Sequence, residues 1–275
     1  MLVNLKQILK IAEAKGCAIG SFNTPNLESL KAVLSAAEEL NQPVIIMHAQ
    51  VHEEMGLCQL DEIGSIMLLL ADRAKVPVCV HLDHGTDLDY LKRGLDIGFT
   101  SIMYDGSSLP VKENYAYTCM AVDMAARYDA SVEAEVGSMG AREGGGASDE
   151  SIYTDPDTAL WFTKETGIDA LACAFGTVHG MYLSEPKLDF ERVSKIRSLI
   201  DVPMVMHGGS GVSVADYKEV IRRGIRKINY YTYMAKAAGE AISGKSYKQF
   251  HDAVNDAIAA MQLDVSNAIK VFSKI

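Results

Sequence analysis

The stretch His81-Leu82-Asp83-His84-Gly85 follows Val76-Pro77-Val78-Cys79-Val80, and the two together decide how the chain is read. A short β-branched run opened by proline reads as a buried strand. Polar residues this dense at its end make the strand tip a chemical position. Two more histidines close similar runs: His179 in Phe175-Gly176-Thr177-Val178-His179-Gly180, and His207 in Met204-Val205-Met206-His207-Gly208. These strand ends are expected to meet around one metal ion, with the rest of the chain as scaffold.

Working outward, strand and helix patterns alternate along the whole chain. Strands are expected at Cys17–Asn23, Pro43–His48, Val78–Asp83, Ser101–Asp105, Ser131–Gly137, Ala170–Gly176, Pro203–His207 and Lys227–Thr232. A leading helix spans Asn4–Ala14. Others are expected at Asn26–Leu40, Leu60–Lys75, Asp87–Ile97, Val111–Tyr128, Asp157–Gly167, Phe190–Leu199 and Val214–Arg223, with a helical tail from Met234. Eight strands, each followed by a helix and with no Pro/Ser-rich linker, give the pattern of an α/β, single-domain (β/α)8 TIM barrel over residues 1–275. An open doubly wound sheet is disfavoured, because the first strand leads into Asn23-Thr24-Pro25-Asn26 rather than a glycine-rich phosphate loop.

The chain has 275 residues, 48% apolar content and a net charge of −10, which argues against a nucleic-acid or anionic-membrane surface. No apolar run approaches the roughly 18 residues of a membrane span. The N-terminus lacks a signal-peptide pattern. Five scattered cysteines without a CxxC read as free thiols, so a reducing cytoplasm is the expected location.

In such a barrel the chemistry sits at the C-terminal strand ends. That rule collects His81, Asp83, His84, Asp105, Glu133, Glu135, His179, His207 and Asn229 to Thr232. Three neutral imidazoles with an open position make a catalytic zinc arrangement, and His84, His179 and His207 are the candidates. His81 is expected to play a supporting part. Asp83 is placed to exchange a proton with a substrate hydroxyl, or else to orient a histidine. Glu133 and Glu135 share one strand face, as a cation site or as hydrogen-bond partners of the zinc ligands. Gly208-Gly209-Ser210-Gly211, read as leading directly into a helix, makes an anion pocket beside Asn229-Tyr230-Tyr231-Thr232. The long connection Ser138 to Asp149, with glycines at 144, 145 and 146, reads as a lid.

Assembled, these residues resemble the class II, metal-dependent ketose-bisphosphate aldolases, which include fructose- and tagatose-bisphosphate enzymes. The resemblance runs to about Thr232. It rests on Phe22-Asn23, His81 to Gly85, Met103-Tyr104-Asp105-Gly106-Ser107, Val132 to Gly137, Gly176 to Gly180, His207 to Gly211 and Lys227-Ile228-Asn229. It implies catalytic Zn2+ at His84, His179 and His207, with Asp83 as proton donor to the aldehyde oxygen. Asp105 and Glu135 match positions that hold a second metal in some members, so a second divalent or a monovalent cation is a further expectation. Gly180, Gly208, Gly209, Ser210, Asn229, Tyr230, Tyr231 and Thr232 would bind dihydroxyacetone phosphate, with Asn23 beside them. Glu143 on the lid would move the carbon-bound proton.

The implied reaction is reversible cleavage of a phosphorylated ketose in a homodimer or homotetramer that binds neither nucleic acid nor membrane. A metal-dependent sugar-phosphate isomerase or epimerase and a non-catalytic barrel subunit are the alternatives, and Lys227 leaves a Schiff-base route open. Four departures concern the aldehyde end. Met47 to His52 stands where known members carry small or hydroxyl residues, and Tyr230 and Tyr231 replace small or acidic ones. Glu143 lacks the usual following aspartate, and the tail lacks a proline-arginine segment. His48 and His52 are expected either to contact substrate or to cap a loop.

Overall fold

Alternation of side chains along each strand sets the architecture. In Val78–Gly85, Val78, Val80 and Leu82 pack toward the helices, while Cys79, His81 and Asp83 face the interior. Both faces are covered, as a parallel sheet requires. The computed structural model describes residues 1–137, 153–180 and 186–275.

In chain order the elements are β1 (Leu2–Val3), α1 (Leu5–Lys15), β2 (Ile19–Asn23), α2 (Leu27–Glu39) and β3 (Val44–Ala49). Next come α3 (Gln50–Glu54), α4 (Leu60–Arg73), β4 (Val78–Gly85), α5 (Leu88–Ile97), β5 (Ser101–Tyr104) and α6 (Val111–Ala126). The second half holds β6 (Ser131–Val136), α7 (Pro156–Thr166), β7 (Ala170–Cys173), α8 (Phe190–Leu199) and β8 (Met204–Met206). It ends with α9 (Val214–Arg222), β9 (Ile225–Tyr230), α10 (Thr232–Ile242) and α11 (Phe250–Ser273). Strands β2 to β9 pair in parallel, each with its neighbour in sequence, and β2–β9 pairing closes the (β/α)8 barrel. The ninth strand, β1, extends the sheet beside the base of β4. With two residues it has no period to detect, and the sequence gives no sign of it. Helix α3 is likewise too short for a hydrophobic repeat.

Helix α1 plugs the N-terminal mouth. Asn4 and Gln7 form a capping box, and Gly16 ends the helix at φ 58°. Its buried stripe Leu5, Ile8, Leu9 and Ala12 packs into the interior layer of Ile19, Ile45, Met47, Cys79, Met103, Ala170, Ala172 and Val205. The barrel is therefore dry at the base and polar at the other mouth. Helix α11 lies outside the eight-fold pattern and packs on α2, with Ala18 N–H donating to the Phe272 carbonyl. Among the described residues no helix is long and apolar enough to cross a membrane. All five cysteines are free thiols.

Leu9 is fully buried in this plug. Leu9→Ala is expected to cost about 2–5 kcal/mol in urea unfolding, since the closed barrel cannot collapse onto the hole. A loss below about 1 kcal/mol would show that α1 is not part of the cooperative core.

Candidate active site

Asp83 and His84 are consecutive, and regular alternation would send them to opposite faces of β4. The backbone resolves this with a register shift between Leu82 and Gly85 against β5 and with His84 at φ 46°, in the left-handed region. Both side chains then reach the barrel mouth. Gly85 follows because a Cβ there would run into Leu91.

The mouth gathers three imidazoles. Ligand atoms of His84, His179 and His207 all lie within 4.8 Å of one another. The ring centroid of His84 is 4.5 Å from that of His207 and 4.8 Å from that of His179. His84 comes from the end of β4, His179 from the segment after β7, and His207 from the residue after β8.

Carboxylates behind the rings fix which nitrogens face the cluster. Asp105 Oδ2 lies 2.7 Å from His84 Nδ1, and Glu133 Oε1 lies 2.7 Å from His207 Nε2. A carboxylate only accepts, so each of those nitrogens carries the hydrogen. The remaining pair, His84 Nε2 and His207 Nδ1, stands 2.8 Å apart. Two lone pairs at that distance repel unless a proton or a metal cation sits between them.

A proton on His84 is one such occupant, and the charges around that ring favour it. Burial alone would lower the His84 pKa, but the charge of Asp83, the hydrogen bond His84 donates to Asp105 and the neighbouring acidic groups lift it to about 10. His207, buried and next to that cation, is pushed down and stays neutral. Four acids, Asp83, Asp105, Glu133 and Glu135, stand around the imidazoles, and among the described residues Lys227 pairs with one of them, Glu133. Glu135 is held well above the usual carboxylate range by burial and by Asp105. Its Oε2 is buried with no hydrogen-bond partner among the described residues. Three imidazoles, surplus negative charge and an orphaned carboxylate oxygen fit a divalent cation.

Asp83 is anchored at both oxygens. Asn23 Nδ2 donates to Oδ2 at 3.2 Å and Asn229 Nδ2 to Oδ1 at 3.0 Å. Burial would raise its pKa, but His84, His207 and Lys227 hold it well below the usual range, so it is ionised at neutral pH. A pocket over these groups is lined by Asn23, Asp83, His84, His179, Gly180, Gly208 to Ser210 and Asn229 to Thr232.

Several expectations are sharpened here and others corrected. Glu133 is the hydrogen-bond partner of His207, whereas Glu135 faces His84 and Asp105, a trio whose ligand atoms also fall within 4.8 Å. Asp105 accepts from His84 and from Ser107 N–H, so it orients His84 while remaining a member of that second candidate cation trio. His81 bonds Ser101 and stays off the cluster, its pKa lowered by burial and Lys227 to about 3. Tyr230 lends only backbone to the pocket, because strand alternation turns its ring outward, 5.9 Å from Phe22 and 6.2 Å from Phe272. Its neighbour Tyr231 packs 4.9 Å from the ring of His52. His48 caps a loop, between the Tyr90 hydroxyl and the Cys58 carbonyl. Glu143 lies outside the described residues.

The anion pocket also differs from expectation. Gly209 N–H is spent on the Asn229 carbonyl, and Tyr231 N–H on Ser210 Oγ. Helix α9 begins only at Val214, capped by Ser213. The open helix start is instead that of α10, whose N-cap Tyr231 makes no side-chain capping bond and whose first residue, Thr232, lines the pocket. Gly208, at φ 62°, passes so close that a Cβ would collide with the Val178 carbonyl. Sequence reading missed Lys227 as a partner of Asn229; their spacing of two on one strand was the available signal.

This is a barrel enzyme with its chemistry at the strand C-termini. A family model for class-II fructose-bisphosphate aldolase matches residues 3–275. The YdjI aldolase of Escherichia coli K12 superposes with a TM-score of 0.90 at 36% identity, covering 99% of this chain and 97% of that one. A Coccidioides immitis protein assigned as a fructose-1,6-biphosphate aldolase gives 0.85 at 28% identity, with 98% and 96% covered. Fructose-bisphosphate aldolase of Campylobacter jejuni, at 21% identity and a TM-score of 0.79 over 100% and 96%, shares the fold. The chain belongs to the class-II fructose-bisphosphate aldolase family.

A bound cation must displace the His84 proton. Zinc binding is therefore expected to release at least one proton at pH 7, with apparent affinity rising about tenfold per pH unit toward the His84 pKa of about 10. Calorimetry in two buffers of different ionisation enthalpy checks this; binding without proton release would contradict it. In the metal-free chain the sign is opposite. The folded His84 pKa lies above its ordinary 6.5, so its stabilising contribution is full below that value and fades as pH rises toward 10.

Proposed function

We propose that the protein is a zinc-dependent aldolase that reversibly cleaves a phosphorylated ketose into dihydroxyacetone phosphate and an aldehyde. The observation that carries this reading is the meeting of His84, His179 and His207 beside an ionised, doubly anchored Asp83. Zinc, when bound by these imidazoles, supplies a Lewis acid for the oxygens of the ketone, where negative charge develops as the C–C bond breaks.

The chain's own residues handle the rest. Asp83 takes the C4 hydroxyl proton in cleavage and returns it in condensation, and its two amide anchors fix the carboxylate plane for that transfer. The uncapped start of α10 at Thr232, with Ser210 opposite, accepts the phosphate of the dihydroxyacetone half. Glu143 is assigned the C3 proton on the strength of the family motif.

The aldehyde half is where this chain departs. No lysine or arginine is among the described residues lining this pocket, and the tail lacks the proline-arginine segment that the family resemblance would set against an aldehyde-end phosphate. Beside the pocket Tyr231 packs its ring on His52, at one of the departures from the family pattern. The acceptor aldehyde is accordingly proposed to be uncharged, making the substrate a ketose 1-phosphate rather than a bisphosphate.

Steady-state cleavage of fructose and tagatose bisphosphates should be slower than that of fructose 1-phosphate and longer ketose 1-phosphates; efficient fructose bisphosphate turnover would refute the acceptor assignment. Chelation should abolish cleavage and zinc should restore it. Asp83→Asn is expected to lower kcat by about 10²–10⁴-fold while zinc content stays at the wild-type level. Full activity in that variant would remove Asp83 from the mechanism.

A further inference from the structure

Asp83 and His207 stand on opposite sides of the mouth, yet the contacts that hold them run to one atom. Lys227 Nζ lies 2.9 Å from Glu133 Oε2 and 3.3 Å from Oε1, and donates to Asn229 Oδ1 at 2.7 Å. Glu133 accepts from His207 Nε2 at 2.7 Å, and Asn229 donates to Asp83 at 3.0 Å. Lys227 and Glu133 are both fully buried. His81 completes the surroundings, 3.7 Å from Glu133 Oε2 with its other nitrogen on Ser101.

We propose that Lys227 is a positioning residue that sets both the nitrogen His207 presents to the metal and the direction in which Asn229 holds Asp83. This rests on the reading of the three imidazoles as a metal cage and of Asp83 as the proton carrier.

An ammonium has donors and no acceptor. Asn229 must therefore turn its oxygen toward Lys227, which leaves its N–H for Asp83. Without the ammonium the amide is free to flip and set its oxygen against the carboxylate. On the other branch, the charge of Lys227 keeps Glu133 a pure acceptor. His207 Nε2 must then carry the hydrogen, and Nδ1 keeps its lone pair for the cluster.

Stability alone does not explain this pair. A buried ion pair replaced on both sides by neutral groups is often no less stable, whereas removing one partner strands the other charge. Lys227→Met is thus a folding risk, and Lys227→Met/Glu133→Gln is its remedy: it removes both charges and still offers His207 an amide oxygen. Lys227 reaches His207 only through Glu133 and Asp83 only through Asn229, so its loss would appear in metal binding and turnover separately.

The test measures zinc affinity of the full chain by chelator competition, the absorption spectrum of the cobalt-loaded protein, and condensation of dihydroxyacetone phosphate with glycolaldehyde. Lys227→Met is expected to bind zinc 10–100-fold more weakly and to shift the cobalt spectrum. The double variant should recover zinc affinity to within about tenfold of wild type while its kcat stays at least tenfold down, because Asn229 has lost its anchor. Wild-type zinc affinity in Lys227→Met, or a double-variant kcat within twofold of wild type, would overturn the inference. A wild-type chain that binds no zinc would overturn the metal reading and this inference with it; a wild type that binds zinc beside unaffected variants overturns this inference alone.

Discussion

Two ring nitrogens 2.8 Å apart, each on an imidazole whose other nitrogen is committed to a carboxylate, are the constraint on which the site depends. Neutral rings cannot occupy that arrangement without something positive between them. A proton on His84 satisfies it, and a divalent cation satisfies it more fully because a ligand nitrogen of His179 stands within 4.8 Å of both rings' ligand atoms. The acids around the cluster are thus part of the cage, since they choose the tautomers and supply the negative charge that a cation neutralises.

The barrel's task is to hold that strained arrangement without relaxation. Strand alternation delivers Asp83, Glu133, Glu135, Lys227 and Asn229 to the interior, and the left-handed turn at His84 adds the one residue that alternation would exclude. The apolar plug of α1 closes the far mouth, so the polar network sits on a dry base where its electrostatic interactions are strong. Tyr230 shows the same rule in reverse. One residue along from Asn229, it faces the helices and ties β9 to α11 through Phe272.

Much of this was legible in the sequence. Eight β-branched runs separated by helical periods define the barrel, and polar residues at the ends of those runs mark its working mouth. The element limits agree to within a few residues, apart from β1 and α3, which are shorter than any detectable period. What periodicity cannot give is partnership. Glu133 and Glu135 share a strand face and look equivalent, yet one orients His207 and the other faces His84. Backbone spending is equally hidden: the glycine turn after β8 looks like an anion cradle, but Gly209 N–H is already bonded to Asn229. Such facts depend on neighbours dozens of residues away and appear only once the strands are in register.

Anomalous diffraction from crystals grown with zinc, collected on both sides of the zinc edge, tests the central claim most directly. One strong peak is predicted at the barrel mouth, about 2.0–2.1 Å from His84 Nε2, His207 Nδ1 and a ring nitrogen of His179. No peak there, or a peak bound by Asp105 and Glu135 with the three imidazoles turned away, would contradict the account.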